Sequence, residues 1–188
     1  MVPRLDWIVG LGNPGSAYDH TRHSLGFMVI DELAKRWKVR LWSKYGTRAL
    51  CGTRRTTGVM LAKPQTFMNN SGESVRKMMH WCKRSVSGLL VLVDDLALPL
   101  GTLRLRARGG DGGHNGLVSV IEAVGTKEFA RLRMGIGSPP EGMDTAEFVL
   151  SSFAEEERAQ VRKMILRAAD AVEIACRNGC EKTMNKIN

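Results

Sequence analysis

Side chains that can move a proton or hold a carbonyl group stand next to several apolar segments of the chain. Asn13 and Asp94 each come at the end of an apolar run, Asn69 follows another run by a few residues, and His23 lies where the first predicted helix begins. A neutral imidazole can take a proton from water, a carboxylate can orient that imidazole, and carboxamides can donate to a developing oxyanion. Although Asn and Asp at such places are often turn formers, this set of residue types indicates hydrolysis by an activated water.

Three other chemistries fit the sequence less well. The segment 10–15 matches the dinucleotide-binding pattern G-x-G-x-x-G, but Pro14 removes a backbone donor and no apolar helix follows at once to receive a pyrophosphate. The pair Asp94-Asp95 could suit a metal ion, yet no Cys or His cluster has ligand spacing, so we predict a metal-free site. The absence of a G-x-S-x-G elbow argues against a serine nucleophile.

Strand-like and helix-like segments alternate along the chain without repeats or linkers between them. Apolar runs and alternating patterns predict strands at 5–11, 59–62, 89–93, 103–107 and 132–136. Helical spacing of apolar residues predicts helices with apolar positions over 25–37, from about 71 to 82, from about 115, and a long one with apolar positions from 161 to 175 that ends before Gly179. Two capping boxes, Asn70 with Glu73 and Ser152 with Glu155, are predicted to begin the second and the last of these helices.

This alternation is typical of an α/β fold, and we predict one domain, 1–188, with a mixed, mostly parallel twisted sheet flanked by helices on both faces. The continuous apolar run 89–93 suits a central strand, while the hairpin-like segments 48–55 and 103–107 allow antiparallel members. Ligands of such sheets bind beyond the carboxyl ends of the strands. The polar residues and the glycine loop 109–116 are therefore predicted to converge on one crevice.

Charge is unevenly distributed along the 188 residues. The chain has 28 Lys and Arg against 19 Asp and Glu, a net charge of +9. Residues 1–110 hold 18 basic and 7 acidic residues, a balance of +11, whereas residues 111–188 hold 10 and 12, a balance of −2. An excess of basic residues often reflects solubility alone. Concentrated on one face of the fold, the same excess indicates a polyanionic partner, and it favours a nucleic acid over a membrane.

Short apolar segments and the cysteine pattern predict an intracellular protein. We expect it in the cytoplasm, or in an organelle matrix or stroma if a targeting segment has been removed. The run Ile8–Leu11 is too short for a secretory signal, and Leu89–Val93 is too short for a membrane span. The four cysteines form no CxxC pair, which favours reduced thiols over a disulfide or zinc framework.

Several segments together resemble the bacterial-type peptidyl-tRNA hydrolases over nearly the whole chain. These segments come in the order and spacing of that family: 8–15, Tyr18 with 21–23, 63–69 with 71–72, 93–95 with 98–99 and 101, 112–117, 131–133 with 135–137, and 184–185. The resemblance implies a monomeric α/β enzyme without a cofactor. It also implies hydrolysis of the ester between a peptide and the 3′ ribose of tRNA.

The same resemblance implies roles for individual residues. His23 would be the general base acting on water, and Asp94 would orient it. Asn13 and Asn69 would bind the peptide main chain and the tRNA end and help to hold the carbonyl group, and Asn115 would position the water and the substrate.

Contacts to tRNA and the walls of the crevice follow from the resemblance as well. Arg106 and Arg133 match positions where the family places cations that bind acceptor-stem phosphates, and Arg104, Arg108 and Lys63 are weaker candidates. The crevice wall would be formed by Tyr18, Phe67 and Met68, and residues 109–113 would form a mobile loop over the site.

The chain departs from the family pattern at three positions. Ser24 stands where Asn is common. Ala97 replaces a residue that is usually polar, and Asp111 replaces one that is usually neutral or basic. Ser24 puts one peptide or tRNA contact in doubt, and the other two affect substrate affinity near the loop. The segment 137–144 also resembles plastid-type members, so an alternative is a non-catalytic relative that binds RNA in group II intron splicing with a partner protein.

Overall fold

The computed structural model describes residues 5–188, and within them a single sheet of seven strands is surrounded by six α-helices. The strands are β1 (Trp7–Gly10), β2 (Trp42–Lys44), β3 (Ala49–Thr53), β4 (Met60–Pro64), β5 (Leu89–Asp95), β6 (Leu103–Arg106) and β7 (Ala130–Gly135). The α-helices are α1 (Leu25–Trp37), α2 (Ser71–Trp81), α3 (Asn115–Val124), α4 (Thr145–Leu150), α5 (Glu155–Asn178) and α6 (Cys180–Ile187).

The strand order is β2-β3-β4-β1-β5-β7-β6. Parallel pairing joins β4, β1, β5 and β7, while β3 and β6 pair antiparallel with their neighbours. Because β2 is antiparallel to β3, it points the same way as the central strands. Five of the described strands therefore share one direction, which confirms the predicted α/β fold with a mixed, mostly parallel sheet.

The core lies on both faces of the sheet. One apolar cluster packs α1 and α5 against the sheet and includes Leu90 and Leu92 of β5, and the other packs α2 and α3 and includes Val91 and Val93. Residues Leu89 to Val93 are fully buried, as expected for a strand covered on both faces. Because β1, β4, β5 and β7 are parallel, their carboxyl ends lie at the same end of the sheet, and the candidate site is found there.

Both predicted capping boxes are wrong. Asn70 precedes α2 but its side chain makes no capping hydrogen bond, and Glu73 instead forms ion pairs with Arg48 and Lys77. The long helix α5 begins after Ala154, whose N–H donates to the Glu157 carboxylate at 2.8 Å. In both cases the polar residues near the helix start have tertiary partners that a local pattern does not reveal.

Three described elements escape prediction from periodicity. Strand β2 has three residues, all exposed, so it shows no apolar alternation. Helix α4 has six residues and α6 has eight, and α6 begins directly after Gly179, where the last helix is predicted to have just ended. Such short elements are held by the body they pack on rather than by their own pattern. None of the described helices is long and apolar enough to cross a membrane.

Candidate active site

Asp94, near the end of β5, is the centre of a hydrogen-bonded group of three side chains. Its two carboxylate oxygens lie 3.0 Å from Nδ1 of His23, and Oδ1 lies 3.1 Å from Nε2 of His114. Asp94 is 3% exposed. The group brings together the end of β5, the start of α1 and the start of α3, which are far apart in the sequence.

Backbone contacts determine the tautomer of His114. Its Nδ1 accepts the N–H groups of Gly116 at 3.1 Å and Leu117 at 3.3 Å, where it caps the N-terminus of α3. The ring hydrogen of a neutral His114 is therefore on Nε2, which donates to Asp94. Asp94 is thus an acceptor for both imidazoles.

The carboxylate of Asp94 in turn determines the tautomer of His23. Although burial disfavours the ionised carboxylate, attraction to His114 and the hydrogen bonds from both imidazoles hold the pKa of Asp94 well below its usual range. An ionised Asp94 accepts a hydrogen bond from Nδ1–H of His23. The lone pair of a neutral His23 is then on Nε2, in the position a general base requires.

Tight packing places His23 at the carboxyl end of the sheet. His23 belongs to a short 3-10 helix (Arg22–Ser24) that continues into α1. At the first turn of α1, a Cβ on Gly26 would lie 2.4 Å from backbone atoms of Leu11 and 2.5 Å from the carbonyl oxygen of Leu92. Glycine at this position lets the helix approach β1 and β5 closely, and so positions His23 over Asp94.

Arg22 connects the His23 segment to the helices that follow β7. Its buried guanidinium makes a bidentate ion pair with Glu157 at 2.7 and 3.2 Å and lies 4.4 and 4.6 Å from the rings of Phe148 and Phe153. Partial burial disfavours the ionised form of Glu157, but the hydrogen bonds from Arg22 and from the Ala154 N–H hold the pKa of Glu157 below its usual range. Arg22 thus anchors α4, a wall of the site, beside His23.

Asn13 follows β1, and its amide oxygen is fixed by the chain after β4. Its Oδ1 accepts the backbone N–H of Met68 at 2.8 Å, and the residue is 7% exposed. This hydrogen bond directs the oxygen toward the chain after β4 and leaves the Nδ2 hydrogens available to a substrate.

These groups border an open cleft of about 650 Å³. Of the predicted site residues, the cleft is lined by Asn13, His23, Phe67, Met68, Asn69, Asp94, Asn115 and Arg133. Tyr18 lies next to it, with its ring edge-on to Phe67 at a centroid distance of 6.3 Å, and Arg106 is not among the lining residues. The structure therefore brings eight of the ten predicted residues to one cleft.

The two arginines predicted to bind phosphate have different surroundings. Arg133 donates to Asp95 at 3.1 Å and to the carbonyl oxygen of Gly110 at 2.8 Å, so its guanidinium is already engaged. Arg106 is exposed and lies opposite Arg131, whereas Arg104 lies opposite Arg133. The register thus places Arg104, one of the weaker candidates, nearer to the cleft than Arg106.

The glycine loop is held at its beginning by Arg131, a residue to which the sequence assigned no role. Arg131 is fully buried and donates to the carbonyl oxygens of Gly109, Gly110, Lys127 and Phe129. Burial lowers its pKa to about 10. Gly112 and Gly113, further along the loop, line the cleft, and the mobility predicted for this loop stays a prediction.

Sequence reasoning missed two parts of the site. His114 was visible as a second histidine directly before Asn115, but only the tertiary structure gives it Asp94 as a partner. The wall formed by α4 was missed because this helix is short; it contributes Asp144, Thr145, Ala146, Val149 and Leu150.

Ligand atoms of His23, Asp94 and His114 lie within 4.8 Å of one another, a spacing that could suit a metal ion. In the observed arrangement, however, Nε2 of His114 carries a hydrogen directed at Asp94, because Nδ1 already accepts two N–H groups. His23 also uses Nδ1 for Asp94. The three side chains therefore fit a hydrogen-bonded acid–base group better than a set of metal ligands.

The three departures from the family pattern occupy defined places. Ser24 is fully buried and accepts a hydrogen bond from the Thr21 hydroxyl at 3.3 Å. Ala97 lines the cleft, and its N–H donates to Asp95 at 2.9 Å. Asp111 accepts the N–H of Gly113 at 2.9 Å and so shapes the glycine loop. None of them replaces a member of the His23, Asp94 and His114 group.

Comparison with known proteins identifies the family. Residues 7–188 match the sequence profile of the peptidyl-tRNA hydrolases. The chain is 49% identical to the peptidyl-tRNA hydrolase of Geobacillus kaustophilus, with 96% of this chain and 97% of the relative covered, and 46% identical to that of a Synechococcus strain, with 98% and 83% covered. A crystal structure of the Acinetobacter baumannii peptidyl-tRNA hydrolase matches with a TM-score of 0.92 at 33% identity, covering 100% and 96% of the two chains. The chain belongs to the bacterial-type peptidyl-tRNA hydrolase family.

Proposed function

We propose that this chain hydrolyses peptidyl-tRNA, releasing a peptide and a tRNA that can be used again in translation. Its membership of the family and the activity for which its relatives are named support the reaction. The observation that carries the mechanism is the contact of His23 with an ionised, buried Asp94 at the edge of an open cleft.

In the proposed mechanism, a water molecule attacks the ester carbonyl carbon while Nε2 of His23 takes one of its protons. Asp94 keeps the imidazole in the required tautomer and stabilises the imidazolium that forms. When the tetrahedral intermediate collapses, the bond from the carbonyl carbon to the ribose 3′ oxygen breaks. The imidazolium then returns a proton to that oxygen, and no covalent enzyme intermediate is needed.

His114 is a positioning residue in this mechanism. Its Nε2–H donates to Oδ1 of Asp94, which His23 also contacts, while its Nδ1 ties the group to the start of α3. Because two imidazoles hold Asp94, the carboxylate does not need to reorganise when His23 becomes charged.

The carboxamides of the cleft complete the proposed site. Asn13 donates Nδ2–H to the carbonyl oxygen as negative charge develops on it, since its own Oδ1 is engaged with the Met68 N–H. Asn69 and Asn115 line the same cleft, and we assign them to the peptide main chain, the tRNA end and the attacking water.

We assign the 3′ end of tRNA to the cleft and its acceptor stem to the cations of β6 and β7. Arg106 and Arg133 are the proposed phosphate contacts. A phosphate on Arg133 has to compete with Asp95 and with the Gly110 carbonyl oxygen, so this arginine also links tRNA binding to the glycine loop. We further propose that the chain acts in the cytoplasm as a monomer with one domain, 1–188.

The proposal is tested by release of the N-blocked amino acid from an N-acetyl-aminoacyl-tRNA by the purified protein. We expect His23→Ala to lower kcat about 10²- to 10⁴-fold, the usual effect of losing a general base. His20→Ala is the matched control, since His20 is exposed and lies outside the cleft lining. Binding of tRNA without any release by the wild type would contradict the proposal and favour the splicing-type alternative.

A further inference from the structure

A second surface with the character of a nucleic-acid site lies on the edge of the sheet farthest from β6. We call it the edge patch and define it by Trp42, Lys44, Tyr45, Arg48, Arg76, Lys77 and Trp81. Tyr45 and Trp81 meet edge to face at a centroid distance of 6.4 Å, and the Trp81 ring rests on Gly46, where an added Cβ would lie 2.9 Å from it. The aromatic side chains are thus positioned by the fold, yet remain exposed.

Strand register places the side chains of Trp42 and Lys44 in β2 on the face of the sheet that α2 covers. Trp42 is paired with Cys51, and Lys44 with Ala49. Directly opposite residues of an antiparallel pair point to the same face of the sheet, and Cys51 and Ala49 belong to the apolar cluster beneath α2. Trp42 and Lys44 therefore extend on the α2 side, where Trp81 also lies.

The charge of the chain segment that carries the edge patch is almost entirely positive. Residues 38–84 contain 11 Lys and Arg and a single acidic residue, Glu73. Glu73 is shared by Arg48 and Lys77, each at 2.7 Å. Within residues 5–188, six exposed cations of this segment have no carboxylate within 4 Å: Lys38, Arg40, Lys44, Arg55, Arg76 and Lys83.

Exposed aromatic side chains are concentrated in the same place. In the described part of the chain, four Phe, Tyr or Trp side chains are exposed, and all but one belong to the edge patch: Trp42 at 56%, Tyr45 at 89% and Trp81 at 54%. The fourth, Phe67, lines the catalytic cleft. Exposed aromatic faces among unpaired cations form the combination on which unpaired bases stack while their phosphates are neutralised.

The edge patch is separate from the cleft and from the proposed acceptor-stem contacts. None of its residues lines the cleft. It lies at β2, whereas Arg106 and Arg133 lie on β6 and β7, at the opposite edge of the sheet. Six strand spacings of about 4.8 Å separate β2 from β6 by about 29 Å. We propose that the edge patch binds an RNA segment with unpaired bases that is distinct from the tRNA in the catalytic cleft.

The test measures binding of a fluorescein-labelled 12-nucleotide single-stranded RNA of mixed sequence to the full chain, by fluorescence anisotropy. The protein is first saturated with an acceptor minihelix that carries no amino acid, so that the cleft and its phosphate contacts are occupied. We expect Tyr45→Ala and Trp81→Ala each to weaken binding of the probe about tenfold. Tyr45 is almost fully exposed, so its substitution leaves the fold intact.

Charge reversal provides the second arm of the test. Lys44→Glu and Arg76→Glu are expected to weaken binding of the probe and to make the plot of log affinity against log salt shallower by about one each. The controls are Lys182→Glu, an exposed residue of α6 with the same change in charge, and Leu166→Ala, an exposed apolar residue of α5. Hydrolysis of an N-acetyl-aminoacyl minihelix should be unchanged in all of these variants.

Three results would overturn the proposal. The first is binding of the probe to the free protein but not to the protein saturated with the minihelix, which would place both RNAs in the cleft. The second is loss of affinity in the charge variants but not in the aromatic ones, with an oligoglutamate peptide bound as well as RNA, which would reduce the surface to general charge attraction. The third is a loss of kcat/KM on full-length peptidyl-tRNA but not on the minihelix, which would assign the patch to the substrate itself. Because the binding assay involves no hydrolysis, its failure leaves the proposed enzymatic function standing.

Discussion

The cleft of the candidate active site and the edge patch differ in how their charged residues are partnered. In the cleft, each charged group has a partner within the chain: Asp94 holds two imidazoles, Arg133 holds Asp95, and nearby Arg22 holds Glu157. At the edge patch, Lys44 and Arg76 have no carboxylate within reach in the described chain. Groups that must orient a reaction are fixed before substrate arrives, whereas groups that attract a polyanion stay available in solvent. The partners of a charged residue therefore indicate its role better than its charge does.

Among the residues that act through a partner, the largest effect is expected for the most connected one, Asp94. Asp94→Asn places an amide where two imidazole N–H groups donate, so at least one hydrogen bond is reversed and His23 loses its required tautomer. We expect kcat to fall about 10³- to 10⁴-fold with little change in KM, by analogy with other buried carboxylates that orient a histidine. Single-turnover release of N-acetyl-aminoacyl groups measures the effect.

Asp170→Asn is the control for Asp94→Asn, since Asp170 is a mostly exposed residue of α5. A drop of less than tenfold in Asp94→Asn, with the fold intact by circular dichroism, would mean that His23 does not depend on this carboxylate. The cleft would then be less interdependent than its hydrogen bonds indicate.

Smaller effects on tRNA binding and kcat are expected for the arginines of β6 and β7. They should differ between Arg133, whose guanidinium is engaged, and Arg106 and Arg104, which are exposed. Arg106→Ala should only weaken tRNA binding and lower its salt slope by about one, because Arg106 is exposed. Arg133→Ala should lower the slope similarly and also reduce kcat, since it releases Asp95 and the Gly110 carbonyl oxygen together. Arg104→Ala, which removes the residue opposite Arg133, is the matched comparison.

These three arginine variants are compared by tRNA binding over a range of salt concentrations and by kcat at saturating substrate. An unchanged slope in Arg106→Ala together with a lower slope in Arg104→Ala would move the phosphate contact to Arg104. A kcat equal to that of the wild type in Arg133→Ala would show that the glycine loop does not depend on this guanidinium.

The smallest expected effect concerns stability. Glu157→Gln weakens the buried contact with Arg22, and we expect it to lower the free energy of unfolding by about 1–2 kcal/mol, or the Tm by about 2–8 °C. Because the pKa of Glu157 is depressed in the folded state, this contribution is present above about pH 4.3 and is lost as the pH falls through the lower folded value.

Thermal unfolding of Glu157→Gln between pH 3 and 7 tests this expectation. Glu156→Gln removes the same charge from the same helix turn, where no cation of residues 5–188 pairs with it, and Lys44→Ala removes a cation of the edge patch that is likewise unpaired within those residues. Both should change the free energy of unfolding by less than about 0.5 kcal/mol. Equal losses in Glu157→Gln and Glu156→Gln would show that the Arg22 contact contributes nothing beyond a general charge effect.

The apolar periodicity of the sequence was sufficient to predict the helices and strands that bury an apolar face. The run 89–93 makes up most of β5, and the apolar positions with helical spacing between 25 and 37 lie within α1. Periodicity failed for β2, which is exposed, and for the helix starts, where Glu73 and Glu157 serve tertiary ion pairs. Burial imposes a regular pattern on a sequence, whereas a single long-range contact leaves none.

The sequence by itself determined the fold class, the family and the residue types of the site, because apolar periodicity and ordered motifs are written along the chain. Only the tertiary structure decided that His114 supports Asp94, that the Asn13 amide oxygen accepts the Met68 N–H, and that Arg133 is already engaged while Lys44 and Arg76 of the edge patch have no carboxylate within reach among the described residues. The physical reason is that hydrogen bonds and ion pairs depend on distances of about 3 Å between groups, and only folding brings residues so far apart in the chain to that separation.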